Sequence, residues 1–436
     1  MCGFIAAKNI KCDLNEALTT ISYRGLPGYQ GYYKEKDIQM AHIALPFVDK
    51  NPDNSIQPRY HNNCPALFVG EIFNYKDFGN YKTDGDLITE KFYNEGIDSF
   101  HDFDGFWSFV GVIDNSLFVV TDYLSQKPVY YRTDCEAFAS EIDVLKLFGQ
   151  TSIDEEYMKC VLDNGYDSTG RTPWKEIRQM PAGHYMHRGK LTKYWDWSKI
   201  TTTNSLYEDL ETAVKIRLEG QQKMAMLVSG GLDSSIIYQL AKKYIKNIDV
   251  VHIENNEWEY ARLIAPNAHR IIFDSVTYTD ALYIHQCPVD LGSVKAQIAM
   301  SRKLKELGYH GVLTGDGADE LFGGYQRALT KDTQYTDVFK ELPYYHLPRL
   351  DRCSMHSTIE VRSPFLSPRV IAHALTTPYN RRAGVKQRLI DTFKNLLPGE
   401  IINRKKVPLK TTDIKNDPMS VRIEMDKLWR KLNERV

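Results

Sequence analysis

The sequence predicts two domains of different class: a first half of α+β or sandwich type, and a second half of α/β type built on a parallel sheet. Three observations predict it. A chain of 436 residues, 42% apolar and 25% charged, holds two domains or three with ample core. Short strand-like runs separated by Gly, Asp and Asn turns fill the first half, whereas from about Asn204 helices and short buried strands alternate. The stretch from Met224 to Leu240, MAMLVSGGLDSSIIYQL, then turns an apolar run into a helix through two glycines.

Taken in order, the chain opens Met-Cys-Gly-Phe. The small residue after Met1 favours removal of Met1, which leaves Cys2 with a free α-amine beside its thiol. Such an amine titrates near neutrality and serves as general base for an adjacent nucleophile. Runs from Ile38 to Leu45, Ala66 to Val69, Phe106 to Ile113, Leu117 to Thr121 and Pro128 to Tyr131 predict strands, and Asp86 to Asn94 a helix. In the second half Leu206 to Leu218 predicts an amphipathic helix. Strands are expected at Met224 to Val228, Val250 to Ile253, Arg270 to Phe273 and Gly311 to Thr314, with helices at Glu257 to Ala265 and Lys295 to Leu307. Such alternation implies a parallel sheet that binds ligands at the carboxyl ends of its strands.

Two motifs sit at such ends. In Ser229-Gly230-Gly231-Leu232-Asp233-Ser234-Ser235 the glycines let backbone approach phosphate, and the first helical amides are unpaired and favour negative charge. The Walker spacing is absent, since no Lys follows the second glycine. Thr314 to Tyr325, TGDGADELFGGY, sets three acidic residues among four glycines after an apolar strand, and hard carboxylate oxygens in that setting suit Mg²⁺ and phosphate. A capped glycine turn and an acidic surface turn are the competing readings of each motif alone.

Composition excludes several classes. A net charge of −1 makes no case for nucleic acid or an acidic membrane surface, and Arg381-Arg382 and Arg404-Lys405-Lys406 are short local patches. Seven scattered cysteines without a C-x-x-C pair indicate neither a zinc site nor a disulfide framework, and imply a reducing cytoplasm. No signal peptide, membrane span or repeat is apparent.

The motifs carry a resemblance. SGGLDSS looks like the pyrophosphate loop of ATP pyrophosphatases. Cys2-Gly3, Gly70-Glu71-Ile72-Phe73-Asn74, Thr83-Asp84-Gly85-Asp86, Asp104-Gly105-Phe106-Trp107, Ser140-Glu141 and Lys127-Pro128-Val129-Tyr130-Tyr131 resemble, in that order apart from the last, the class II glutamine amidotransferase half of the asparagine synthetase B family. The Met180-Pro181-Ala182-Gly183-His184 to Tyr194-Trp195-Asp196 segment is similar to that domain's end. Thr314–Tyr325, Asp351-Arg352-Cys353-Ser354-Met355, Glu360-Val361-Arg362-Ser363-Pro364-Phe365-Leu366, Lys386-Gln387-Arg388 and Arg404-Lys405-Lys406 resemble segments of the synthetase half.

The resemblance implies an N-terminal-nucleophile sandwich over residues 1–197 and an α/β ATP-pyrophosphatase domain over 204–436. It implies Cys2 as nucleophile, Gly70 as an oxyanion N–H donor, and Asp84 and Glu71 as binders of glutamine. ATP and pyrophosphate fall to Leu227, Ser229, Gly230, Gly231, Asp233, Ser234, Ser235 and Gly315, and Mg²⁺ to Asp233 and Asp319. Asp316 takes the place of a catalytic Glu, one methylene shorter, and Lys406 neutralises phosphate charge. Glutamine or ammonia, ATP and a carboxylate (aspartate by default) are the implied substrates; a homodimer is allowed.

The chain also departs from the family. Val69 stands where an Asn supplies the second oxyanion donor, and removing such a donor costs roughly 10²–10³ in rate. Ala44 stands where an Arg binds the glutamine α-carboxylate, and Leu291-Gly292-Ser293-Val294-Lys295 replaces the acceptor-binding T-T-x-R, leaving Lys295 as a carboxylate partner there. A β-lactam-synthetase-like ligase using another amine, and a scaffold that binds ATP without turnover, therefore stand beside glutamine-dependent amide synthesis.

Overall fold

The computed structural model describes residues 2–10, 12–48, 51–202, 204–253, 257–272, 275–325, 330–376, 386–404 and 418–433. Seventeen strands run in chain order among them. They are β1 (Cys2–Lys8), β2 (Gln30–Glu35), β3 (Ile38–Ala44), β4 (Arg59–His61), β5 (Cys64–Ile72), β6 (Gly105–Ile113), β7 (Ser116–Thr121), β8 (Tyr130–Arg132) and β9 (Ala137–Ala139), followed by β10 (Ile177–Gln179), β11 (His184–His187), β12 (Lys190–Lys193), β13 (Met224–Leu227), β14 (Val250–Ile253), β15 (His269–Ile271), β16 (Gly311–Leu313) and β17 (Glu360–Arg362).

The first domain stacks two six-stranded antiparallel sheets, ordered β10-β8-β9-β1-β3-β2 and β12-β11-β7-β6-β5-β4. Their faces meet because side chains alternate. Phe4 and Ala6 of β1 and Met40 of β3 join Leu67 and Val69 of β5 and Val110 of β6 between the sheets. Ile5 and Ala7 point the other way, under the helices Leu14–Thr20 and Glu155–Asn164. The outer face of the second sheet carries Trp107, Phe109 and Val120, covered by the helix Asp84–Glu95. That helix begins two residues earlier than expected, because Thr83 and Asp86 form a capping box. The ladder of β8 starts only at Tyr130, since Pro128 has no N–H to donate.

The second domain is a five-stranded parallel sheet ordered β15-β14-β13-β16-β17. The order reverses between β13 and β16, so the loops after these two strands diverge and leave a crevice at their carboxyl ends. The fold class is the expected one. Two details differ. Glu360–Arg362 forms the edge strand β17, a three-residue strand ahead of Pro364 that apolar patterning did not mark. The helix Leu291–Glu306 starts four residues early, where Asp290 caps the Gly292 N–H, so the Leu291 to Lys295 segment is helical.

Candidate active sites

The first site forms around β1. Cys2 pairs with Ala44 of β3 and is 8% exposed. Burial raises the pKa of its thiol, partly opposed by the Leu45 amide, so a base must take its proton for attack. Cys2, Gly70, Glu71, Asp84, Gly85 and Arg59 line one pocket. Gly70 lies at φ +139° where β5 crosses β6, and a Cβ there would sit 2.9 Å from Trp107 Cα, so no other residue fits. The buried Asp84 carboxylate accepts the N–H groups of Ile72 and Gly85, each at 3.0 Å. Burial still pushes its pKa up to about 7.

Glu71 reaches the same wall, yet one of its carboxylate oxygens is bound by the Arg362 guanidinium. Burial raises its pKa while Arg362 opposes. Val69 and Ala44 are buried apolar residues and bring no polar atom to the pocket. Arg24 is not free for substrate either. Its Nε donates to the Cys2 carbonyl at 3.1 Å, and its two terminal nitrogens pair with Glu141 at 2.6 Å and Asp351 at 2.8 Å.

The second site occupies the crevice of the parallel sheet. Gly230 turns at φ +74°, and a Cβ there would meet the backbone of Tyr260 and Ala261 at 2.6–2.7 Å. The Ser234 hydroxyl accepts the Ser229 N–H at 3.1 Å, and the Ser229 hydroxyl accepts the Gly231 N–H at 3.2 Å, which fixes the turn. The helix Leu232–Ala241 then starts with no side-chain cap on its first amides, the state an anion completes. Ser235 is fully buried, its hydroxyl without a hydrogen-bond partner among the described residues. Leu227, half-buried, closes β13.

The loop after β16 packs onto this turn. A Cβ on Gly315 would lie 3.0 Å from both Asp233 Cβ and the Ser234 nitrogen. Asp319 opens the next short helix, Ala318–Phe322, facing Asp233 across one cation: Lys386 bonds Asp233 and lies 2.6 Å from Asp319. Burial disfavours the charged ammonium, but the two carboxylates outweigh it and raise its pKa above the ordinary lysine range. Asp316 stands apart with Arg349 at 3.7 Å. Glu320 points away, bonded to Tyr325 and 3.3 Å from His346.

Lys406 lies outside the described residues. The cation brought to the two aspartates is Lys386, and Arg404 holds the Gly230 carbonyl at 2.8 Å while pairing with Glu257 and stacking on Tyr260 at 4.2 Å. Both sit in segments quoted for the resemblance, but one lysine among several is singled out only by its neighbours in space. Lys295 lies over the Tyr278 ring at 4.7 Å, with no bond to Asp316.

Among the described residues no cluster of three metal-type ligands occurs. The site nonetheless fits Mg²⁺, because that ion is commonly held by one or two carboxylates together with substrate phosphates, and Asp233 and Asp319 converge here. Also among the described residues, no helix is long and apolar enough to cross a membrane.

Comparison with known proteins gives the family of each half of the chain. Residues 1–195 match the glutamine amidotransferase domain family, and residues 205–332 and 330–424 match asparagine synthase. Asparagine synthetase B [glutamine-hydrolyzing] of Escherichia coli (strain K12) is 25% identical over 475 residues, covering 93% of this chain and 81% of its own length. Asparagine synthetase [glutamine-hydrolyzing] 1 of Arabidopsis thaliana and its namesake in Lotus japonicus are each 25% identical over 435 residues, covering 86% of this chain and 70% of their own length. With the amidotransferase match over the first domain and the asparagine synthase match over half of the chain, the chain belongs to the asparagine synthase family.

Proposed function

We propose that the chain is a carbon–nitrogen ligase that makes an amide from a carboxylate, ATP and glutamine, with aspartate as the default acceptor. The observation that carries this reading is the Asp233–Lys386–Asp319 group held between the two loops of the parallel sheet. In the second domain the acceptor carboxylate attacks the α-phosphorus of ATP and pyrophosphate leaves, giving an acyl-adenylate. Unpaired amides at the start of Leu232–Ala241, the Ser229 and Ser234 hydroxyls and the Lys386 ammonium offset the charge that develops on phosphate. Mg²⁺ held by Asp233 and Asp319 would supply further charge neutralisation on the phosphates. Ammonia then attacks the acyl carbon, AMP leaves, and Asp316 is the carboxylate offered to the amine proton.

In the first domain the Cys2 α-amine, freed by loss of Met1, takes the thiol proton. The thiolate attacks the glutamine side-chain carbonyl, with the Gly70 N–H supporting the oxyanion, and the proton returns to the departing ammonia. Water hydrolyses the thioester to glutamate. The Asp84 carboxylate pairs with the substrate's α-ammonium.

A second reading, a β-lactam-synthetase-like ligase with another amine, is favoured by Val69 and Ala44, which leave the first pocket short of two polar groups. One experiment separates the two. With Mg·ATP, aspartate and either glutamine or ammonia, pyrophosphate, glutamate and asparagine are followed together. Glutamate matched to asparagine supports the leading reading. Product from ammonia but never from glutamine removes the glutaminase, and pyrophosphate only with another carboxylate replaces aspartate as acceptor.

A further inference from the structure

A free amino acid such as glutamine carries an ammonium and a carboxylate on its α-carbon, so a pocket that takes it needs an anion and a cation a few ångströms apart. Asp84 offers the anion. Ala44 offers nothing, and the buried cations around the pocket are committed elsewhere: Arg24 to Cys2, Glu141 and Asp351, and Arg362 to Glu71 and Glu360.

Among the described residues lining the Cys2 pocket, Arg59 is the single cationic one. It stands at the first position of β4, paired with Ala66 of β5, the strand that carries Gly70 and Glu71. Its Nε is buried and has no hydrogen-bond partner among the described residues. The nearest carboxylate, Asp86, is 3.6 Å away, and its other oxygen is already engaged by Thr83 in the capping box. A buried guanidinium N–H left unbonded is costly, and the chain keeps it there. Gly85, the neighbour of Asp84, lies directly beneath: a Cβ added to it would be 3.9 Å from Arg59 Nε. Arg59 and Asp84 thus line the same pocket, with Gly85 as the residue next to both. The backbone leading to Arg59 is also fixed, because the Gln57 side chain bonds both the N–H and the carbonyl of Phe68, at 2.6 and 2.8 Å.

We propose that Arg59 binds the α-carboxylate of glutamine in the Cys2 pocket, from a strand other than the one that carries Ala44. The assignment rests on the glutaminase reading above. Arg59 is then a specificity residue: it selects free amino acids over amides or peptide-bound glutamine, while Cys2 and Gly70 perform the chemistry.

The test uses the full-length enzyme and follows glutamate or ammonia release from glutamine and from 4-aminobutanamide, the analogue in which hydrogen replaces the α-carboxylate. Arg59→Ala is expected to lower kcat/KM for glutamine by about 10- to 100-fold, chiefly through KM, as expected for a charge-assisted pair. Against 4-aminobutanamide, wild type and variant are expected to be equal, because the group that Arg59 recognises is gone. Arg59→Lys is expected to recover part of the loss. Thermal unfolding of each variant identifies any loss that comes from misfolding. Equal glutamine kinetics in wild type and Arg59→Ala overturn this assignment alone, as does an equal loss against both substrates. A wild-type enzyme that forms amide from ammonia and never hydrolyses glutamine overturns the glutaminase reading, and this assignment with it.

Discussion

At the scale of single residues, the second site turns on one lysine between two aspartates. Two carboxylates brought together without a cation repel, and Lys386, paired with both, relieves this. Lys386→Ala is expected to lower pyrophosphate release by roughly 10²–10³-fold at saturating ATP, with glutamine hydrolysis retained, measured as two separate assays. Asp84 gives a prediction in pH. Its carboxyl, pushed up to about 7 by burial, is the charged partner of an ammonium only above that value, so KM for glutamine is expected to fall as pH rises through about 7. The same shift sets a stability cost. A carboxyl whose folded pKa lies above its unfolded value contributes stability below about pH 4 and loses it as pH rises through about 7. Asp84→Asn is therefore expected to unfold later than wild type at pH 8, by about 1–3 kcal/mol in a urea titration, while binding glutamine more weakly. Asp233 and Asp319 were legible because motif spacing names them. Lys386 stood in a family-like segment, but its place between the two aspartates was not legible, because it reaches them from 153 residues beyond Asp233.

At the scale of elements, strand and helix periodicity exposed most of the parallel sheet, and the glycines marked where it turns. Val250–Ile253 coincides with its expected bounds, and Met224–Leu227 and Gly311–Leu313 stop one residue short of theirs. What patterning missed has local causes. A three-residue edge strand such as β17 carries too few alternations to register, and its Arg362 reads as polar surface although it is fully buried against Glu71 and Glu360. The turn after β13 is the element with least freedom. Gly230→Ala would place a side chain at a positive φ and against the backbone of Tyr260 and Ala261, costing at least about 1–2 kcal/mol from the backbone alone. The turn would move off Arg404 and open the helix start, so a rise in KM for ATP and at least a tenfold drop in pyrophosphate release are expected. Glutamine hydrolysis, followed in the same preparation, should stay near wild type.

At the scale of the molecule, the two domains are held by buried charge. Asp351, on the helix Leu347–Met355 of the second domain, receives Lys127 at 2.7 Å and Arg24 at 2.8 Å from the first. Arg24 and Arg352 share Glu141 at 2.6 and 3.2 Å. The pairing itself cannot be read from the chain, since the partners lie more than 100 residues apart and nothing local to any of these charges names its partner. The sites are tied together in the same way: the Arg362 side chain holds Glu71 at the Cys2 pocket, and its carbonyl accepts the Thr314 N–H at the head of the second motif. Burial alone would raise the Asp351 pKa, but Arg24 and Lys127 hold it below the usual carboxylate range. With the folded value depressed, its contribution is present above the unfolded pKa of about 4 and is lost only as pH falls through the lower folded value, so the contact should survive mild acid. Removing the charge itself is different. Asp351→Asn leaves two buried cations without their shared anion, a change that typically costs about 3–5 kcal/mol. Urea unfolding is expected to show that loss. At a protein concentration and temperature where the variant stays folded, the ratio of glutamate formed to amide formed should rise above one, because ammonia released beside a loosened interface escapes to solvent before it meets the acyl-adenylate. A variant that loses stability but keeps the ratio at one would limit Asp351 to holding the fold; a raised ratio makes the charged interface part of the coupling between the two reactions.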